Sequence, residues 1–126
     1  MQELIARVSA GAGVEPDVAE KAIGAILAFL RKEGPKADID ELFASVPGAE
    51  AASAAATQAG AGMLGGLMGM MGGGLMGLAG RLAGLGLDMK QMQAIGHELF
   101  AYVREKVGDA RLREVAAAIP GLSQFL

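Results

Sequence analysis

Two stretches of this chain lie over one another at a constant offset of 73 residues, and that register constrains the fold more than any single motif. Residues 13–48 placed over residues 86–121 give eight identities in 36 positions: Gly13, Ala28, Arg31, Ala37, Glu41, Ala44, Pro47 and Gly48 recur as Gly86, Ala101, Arg104, Ala110, Glu114, Ala117, Pro120 and Gly121. Conservative pairs fill the spaces between them, including Val14 with Leu87, Glu15 with Asp88, Ile26 with Leu99, Phe29 with Tyr102, Ile39 with Leu112 and Val46 with Ile119. With one residue of slip the match extends backwards, pairing Leu4, Arg7 and Val8 with Leu78, Arg81 and Leu82. An ungapped register that ends in Val-Pro-Gly and Ile-Pro-Gly reads as an internal duplication, each copy a supersecondary unit that buries its apolar face against the other.

Each copy reads as three helices. The first is short, about Gln2 to Ser9 and about Leu75 to Ala83, and ends in glycines able to adopt left-handed conformations. The second is longer. Pro16 follows Glu15 at a first helical position, where its missing N–H costs nothing, and Asp88 with Gln91 forms a capping-box signal in the other copy. Apolar residues recur at helical spacing at Val18, Ala22, Ile26, Phe29 and Leu30, and at Met92, Ile95, Leu99, Tyr102 and Val103. Ile23 and Leu27 widen the first stripe, so that helix is expected to be buried on two sides. Gly34-Pro35 and Gly108-Asp109 stop these helices. The third helix is expected to start at Asp38, with Glu41 completing another capping box, or at Asp109, and to end before Pro47 or Pro120, with Val46 and Ile119 pointing into the core. No segment alternates with period two for long enough to make a strand.

Between the copies the composition changes. Twelve of the 20 glycines lie between Gly60 and Gly86, five of the eight methionines lie between Met63 and Met76, and no charged residue occurs from Ala51 to Gly80. Gly65, Gly69, Gly73 and Gly77 fall every fourth residue, with Gly62–Gly66 and Gly80–Gly84 as two further steps. On a helix that spacing makes a smooth groove against which another helix can approach closely. Leu64, Leu67, Met68, Met71, Leu75 and Leu78 would cluster around the rest of it. Glycine costs about 0.8–1.0 kcal/mol of helix propensity relative to alanine, so such a helix needs a partner surface. The expected fold is therefore all-α: two pseudo-symmetric three-helix repeats forming one helical bundle. Repeat one is 1–49 and repeat two is 75–126; 50–74 is an Ala-rich then Gly/Met-rich connector, with a candidate glycine-zipper helix within it.

The composition also removes much chemistry. With no cysteine and one histidine, the chain lacks disulfides, thiolate metal sites, cysteine nucleophiles and multi-histidine metal centres. Eleven basic against 14 acidic residues, with four Phe, one Tyr and no Trp, offer neither the basic footprint nor the stacking platforms that nucleic acid requires. His97 beside Glu98 is the one arrangement suited to general acid/base work. Its counterpart in repeat one is Gly24, and Ser45, Ser53 and Thr57 lack the Gly-x-Ser-x-Gly surroundings of an activated serine, so no catalytic residue is assigned. Met63, Met68, Met70, Met71 and Met76 offer thioethers soft enough for Cu(I), but methionine equally fills irregular apolar gaps and promiscuous binding surfaces; no metal or cofactor is assigned. The opening Met-Gln-Glu-Leu-Ile-Ala-Arg-Val has no basic n-region and carries Glu3 and Arg7 where an apolar h-region would run, so the expected location is the cytoplasm.

The Gly13-Val14 start with Ala19, the Val46-Pro47-Gly48 stop, the Gly86-Leu87-Asp88-Met89 turn and the Gly/Ala/Met-rich spacer resemble the bacterial VcgC/VcgE-like helical family of unknown function. The resemblance covers nearly the whole chain and implies the two-repeat helical fold. It brings no activity, ligand or catalytic residue. Members of that family usually look exported, which this N-terminus does not.

The function expected is non-catalytic: self-assembly, or binding of an apolar helix or a small apolar ligand. The residues expected to carry it are Gly65, Gly69, Gly73, Gly77, Leu64, Leu67, Met68, Met71 and Leu75, since Met-rich faces re-pack around varied partners. The alternative is membrane association. Ala59 to Gly80 is 22 residues without a charge, against the roughly 20 that span a bilayer, although nearly half are glycine and no aromatic belt flanks them.

Overall fold

The computed structural model describes residues 2–46, 48–60 and 74–119. Among them the chain is helical throughout, with no strand. The helices are α1 (Gln2–Ala12), α2 (Pro16–Glu33), α3 (Lys36–Ser45), α4 (Ala49–Gly60), α5 (Gly74–Gly84), α6 (Met89–Val107) and α7 (Asp109–Ala118).

The local signals place most of these ends. α1 runs one turn further than Ser9, because Ala10, Gly11 and Ala12 continue it until Gly13 turns left-handed at φ +68°. There the amides of Gly13 and Val14 both donate to the Ser9 carbonyl, and the Ser9 hydroxyl donates to the carbonyl of Val14. α5 likewise gives way to a left-handed glycine, Gly86 at φ +86°. Pro16 opens α2, and α6 opens with both arms of a capping box: the Gln91 amide donates to Asp88 Oδ1 at 2.7 Å, and the Asp88 amide to Gln91 Oε1 at 3.1 Å.

α3 begins differently from the expectation. It starts at Lys36, directly after Pro35, whose extended backbone (φ −62°, ψ 128°) makes it the capping position without any side-chain cap. Asp38 and Glu41 therefore form no capping box; both lie inside the helix and reach across to Arg111. α3 and α7 end before their prolines, with Val46 and Ile119 in similar extended conformations (φ −109°, ψ 103° and φ −115°, ψ 109°) and both buried. Pro47 and Pro120 themselves lie outside the described residues.

α2 is the axis of the bundle. Ala22, Ile23, Gly24, Ala25, Ile26 and Leu27 are buried in succession, followed by Phe29 and Leu30, so the helix is enclosed on more than one face. Its most extensive packing is against α4, and it also meets α1, α5, α6 and α3. Small side chains make that enclosure feasible: Ala19, Ala22, Gly24 and Ala25 on α2, with Ala49 and Ser53 one turn apart on α4, keep the surfaces low enough for the helices to approach closely. α4 is an element that the sequence reading left inside the connector. Larger residues fill the other side, where Leu4 and Val8 of α1 join Ile95, Leu99, Phe100, Tyr102 and Val103 of α6.

Among the described elements, α1 packs chiefly on α6, and α5 packs on α2. α3 touches α6 and α7. The boundaries of α3 and α7 coincide under the offset of 73, as Lys36–Ser45 against Asp109–Ala118, and those of α2 and α6 start at the same offset and finish within a residue of it. None of the described helices is long and apolar enough to cross a membrane.

Candidate interaction surface

The polar side chains of the bundle act mainly as ties between helices. Arg7 on α1 lies against α6: its Nη1 donates to Glu105 Oε2 at 2.6 Å, its Nε stands 4.0 Å from Glu98 Oε2, and its guanidinium sits 5.7 Å from the centre of the Tyr102 ring. Lys106 Nζ approaches the same ring at 5.2 Å, so the buried Tyr102 meets two cations. The hydrogen bond from Arg7 holds the Glu105 carboxyl below its ordinary range, with the Arg7 charge adding to the effect, and in return Glu105 raises the Arg7 guanidinium further.

A second tie joins α7 to α3. Arg111 Nη1 donates to Asp38 Oδ1 at 2.8 Å and its Nε pairs with Glu41 Oε2. Asp109 at the start of α7 takes Arg104 at 3.0 Å and Arg113, one turn on, at 3.0 Å. An acidic group at a helix start also suits the positive end of the helix dipole. Arg31 lies 5.6 Å from the centre of the Phe43 ring, holding the end of α2 to α3. Buried polar side chains are satisfied among the described residues: the Ser53 hydroxyl, inside the α2/α4 contact, donates to the Glu50 carbonyl at 3.0 Å.

His97 is exposed on α6, and Glu98 beside it is turned to Arg7. Glu98 also lies over Gly11 of α1, where a Cβ would come within 2.7 Å of its Cγ. Among the described residues no three His, Asp or Glu side chains converge as a metal site would require.

Of the residues expected to form the Gly/Leu/Met surface, Gly65, Gly69, Gly73, Leu64, Leu67, Met68 and Met71 lie outside the described residues. Leu75 and Gly77 fall on α5. Further along that helix Leu78 and Leu82 are buried, whereas a Cβ placed on Gly80 or Gly84 would meet none of the described residues within 4 Å. Among the described residues, then, the Gly80–Gly84 step makes no close helix contact, and Leu78 and Leu82 are the buried positions of α5. Sequence reasoning missed the two arginine ties and the buried Phe100. The offset held one signal for them, since it sets Asp38 over Arg111, opposite charges at equivalent positions.

No protein-family model, curated protein or solved structure matches the chain.

Proposed function

We propose that the chain is a non-catalytic helical protein that self-assembles or binds an apolar helix or small apolar ligand. The binding surface is the one built by Gly65, Gly69, Gly73, Gly77, Leu64, Leu67, Met68, Met71 and Leu75. The observation that carries this reading is the thirty-residue charge-free run from Ala51 to Gly80, set between flanks in which charged side chains tie helix to helix. Both helices that border its central part, α4 and α5, rest on the buried α2. Leucine and methionine left in water forgo roughly 25 cal/mol per Å² of apolar surface, and a glycine-rich helix gains little from propensity, so both effects favour cover by another helix.

The same proposal takes the bundle as two pseudo-symmetric repeats, and kinship with the VcgC/VcgE-like family belongs with it. The coincident boundaries of α3 and α7 support that arrangement, as do the left-handed Gly13 and Gly86 and the reciprocal packing of α1 on α6 and α5 on α2.

Replacing Gly69 and Gly73 by leucine tests the surface. Each change favours an isolated helix but fills a close-packing groove, so the double variant is expected to lose assembly or folding through overlap. Retention of the native mass with a gain in stability would leave those glycines with no packing role. Membrane association is the second reading, favoured by the 22 charge-free residues from Ala59 to Gly80. Recovery of the protein only in a detergent-extracted fraction would select it over assembly in water.

A further inference from the structure

Asp38 and Arg111 occupy equivalent positions in the two halves of the chain, 73 residues apart, and they touch. In the two-repeat reading proposed above, on which this inference rests, an approximate two-fold axis relates the halves; equivalent positions that meet then lie near that axis. A residue on such an axis faces its own counterpart, and its charge decides which pairings are tolerated. Asp38 is largely shielded, its side chain only 14% exposed, so that choice is weakly screened by solvent.

We propose that this pair is a pairing code: the face of residues 2–60 that receives residues 74–119 accepts a second half, its own or that of another copy of this chain, and refuses another first half. With a second half, Asp38 and Glu41 share Arg111. With another first half, Asp38 would face Asp38, with two Glu41 carboxylates alongside and no arginine at the axis.

On the same two-fold, the other tie leads to the same result. Arg7 rests on Glu98 and Glu105, and the positions equivalent to these in the first half are Ala25 and Lys32. A first half docked on its own kind would replace one carboxylate with a methyl group and set Arg7 against a lysine. All four of these ion pairs cross between the halves, so the same contacts that hold the chain together specify the partner. Like-charge juxtaposition of this kind is a common means of rejecting a wrong partner. The occupant of the face is thereby fixed as the half bearing Arg111, Glu98 and Glu105, and crosswise pairing of two copies is the association that the code permits.

The code is tested first in the intact chain, where its outcome does not depend on whether the Gly/Leu/Met surface assembles. Asp38→Arg and Arg111→Asp are each expected to lower the folding equilibrium constant about tenfold, and the double reversal to recover most of that loss. The second arm unfolds the two full-length single variants together, refolds the mixture and reads it by native mass spectrometry. The first half of Asp38→Arg fits the second half of Arg111→Asp, so dimers of one copy of each are expected in excess of those given by either variant refolded alone. A double reversal no more stable than the two single losses combined, or no excess of mixed dimers, overturns the proposal.

Discussion

Gly34 shows how much a single residue position can decide. Its backbone is extended (φ −83°, ψ 166°), a conformation open to any residue, yet a Cβ there would lie 2.7 Å from the Leu30 carbonyl oxygen and 2.8 Å from Ile39. The carbonyl belongs to the last turn of α2 and accepts the Gly34 amide, so it has nowhere to retreat. Gly34→Ala is expected to destabilise the fold by about 1–3 kcal/mol, the usual range for overpacking, as read by the midpoint of urea unfolding. At Gly13 the requirement is instead the positive φ. The sequence marked both glycines as helix stops but could not distinguish space from conformation, because that difference depends on which atoms lie opposite.

The Arg7–Glu105 pair makes a prediction about pH at the same scale. The folded protein holds Glu105 below its ordinary value, so the pair contributes stability above the carboxylate range and loses it as pH falls through the folded value. Arg7 stays charged across the accessible range. The stability gap between the native chain and Glu105→Gln should therefore be constant near neutrality and close on acidification. It should also shrink in salt, because Glu105 is mostly exposed. A gap that persists below the carboxylate range would mean that the glutamate acts by packing rather than charge.

At the scale of elements, patterns with their own punctuation were legible. α2 and α6 carried apolar residues at helical spacing, a proline or capping box at one end and a glycine at the other, and the helices follow those marks. α4 was not legible. Its alanines show no periodicity, since the same small side chain stands on the buried face and the exposed one, and only tertiary contact with α2 assigns the faces. The start of α3 was misplaced by two residues because Asp38 and Glu41 have capping-box spacing, while Pro35 is the capping residue and the two acids are committed to Arg111.

α5 supplies a prediction at this scale. Gly80 stands in the helix with none of the described residues where a side chain would go, so among them glycine's propensity penalty is not offset by a packing gain. Gly80→Ala should stabilise the single chain by about 0.5–1 kcal/mol in chemical denaturation at high dilution. A loss of stability at that dilution would mean that a neighbour beyond the described residues packs on Gly80.

For the whole molecule, the offset of 73 bears on organisation and the charge-free run on function, and the two were unequally readable. The helical class followed from patterning. The proposed repeat arrangement draws on residues that meet across the bundle, above all Asp38 with Arg111, and no linear reading shows that equivalent positions touch. Of the proposed surface, the residue types and four-residue glycine spacing were visible in sequence, whereas seven of its nine residues lie outside the described part of the fold. Its physical claim is nevertheless simple: a Gly/Leu/Met run without charges should find cover, and a second copy of the chain is the cover always at hand.

The mass of the full-length chain in detergent-free buffer, followed over a wide range of concentration, tests that claim most directly. Self-assembly through this surface predicts a mass that rises with concentration above the 12.7 kDa of a single chain, and a Gly69→Leu/Gly73→Leu variant that does not follow it. A mass of 12.7 kDa at every concentration, with no apolar helix or ligand bound, would contradict it.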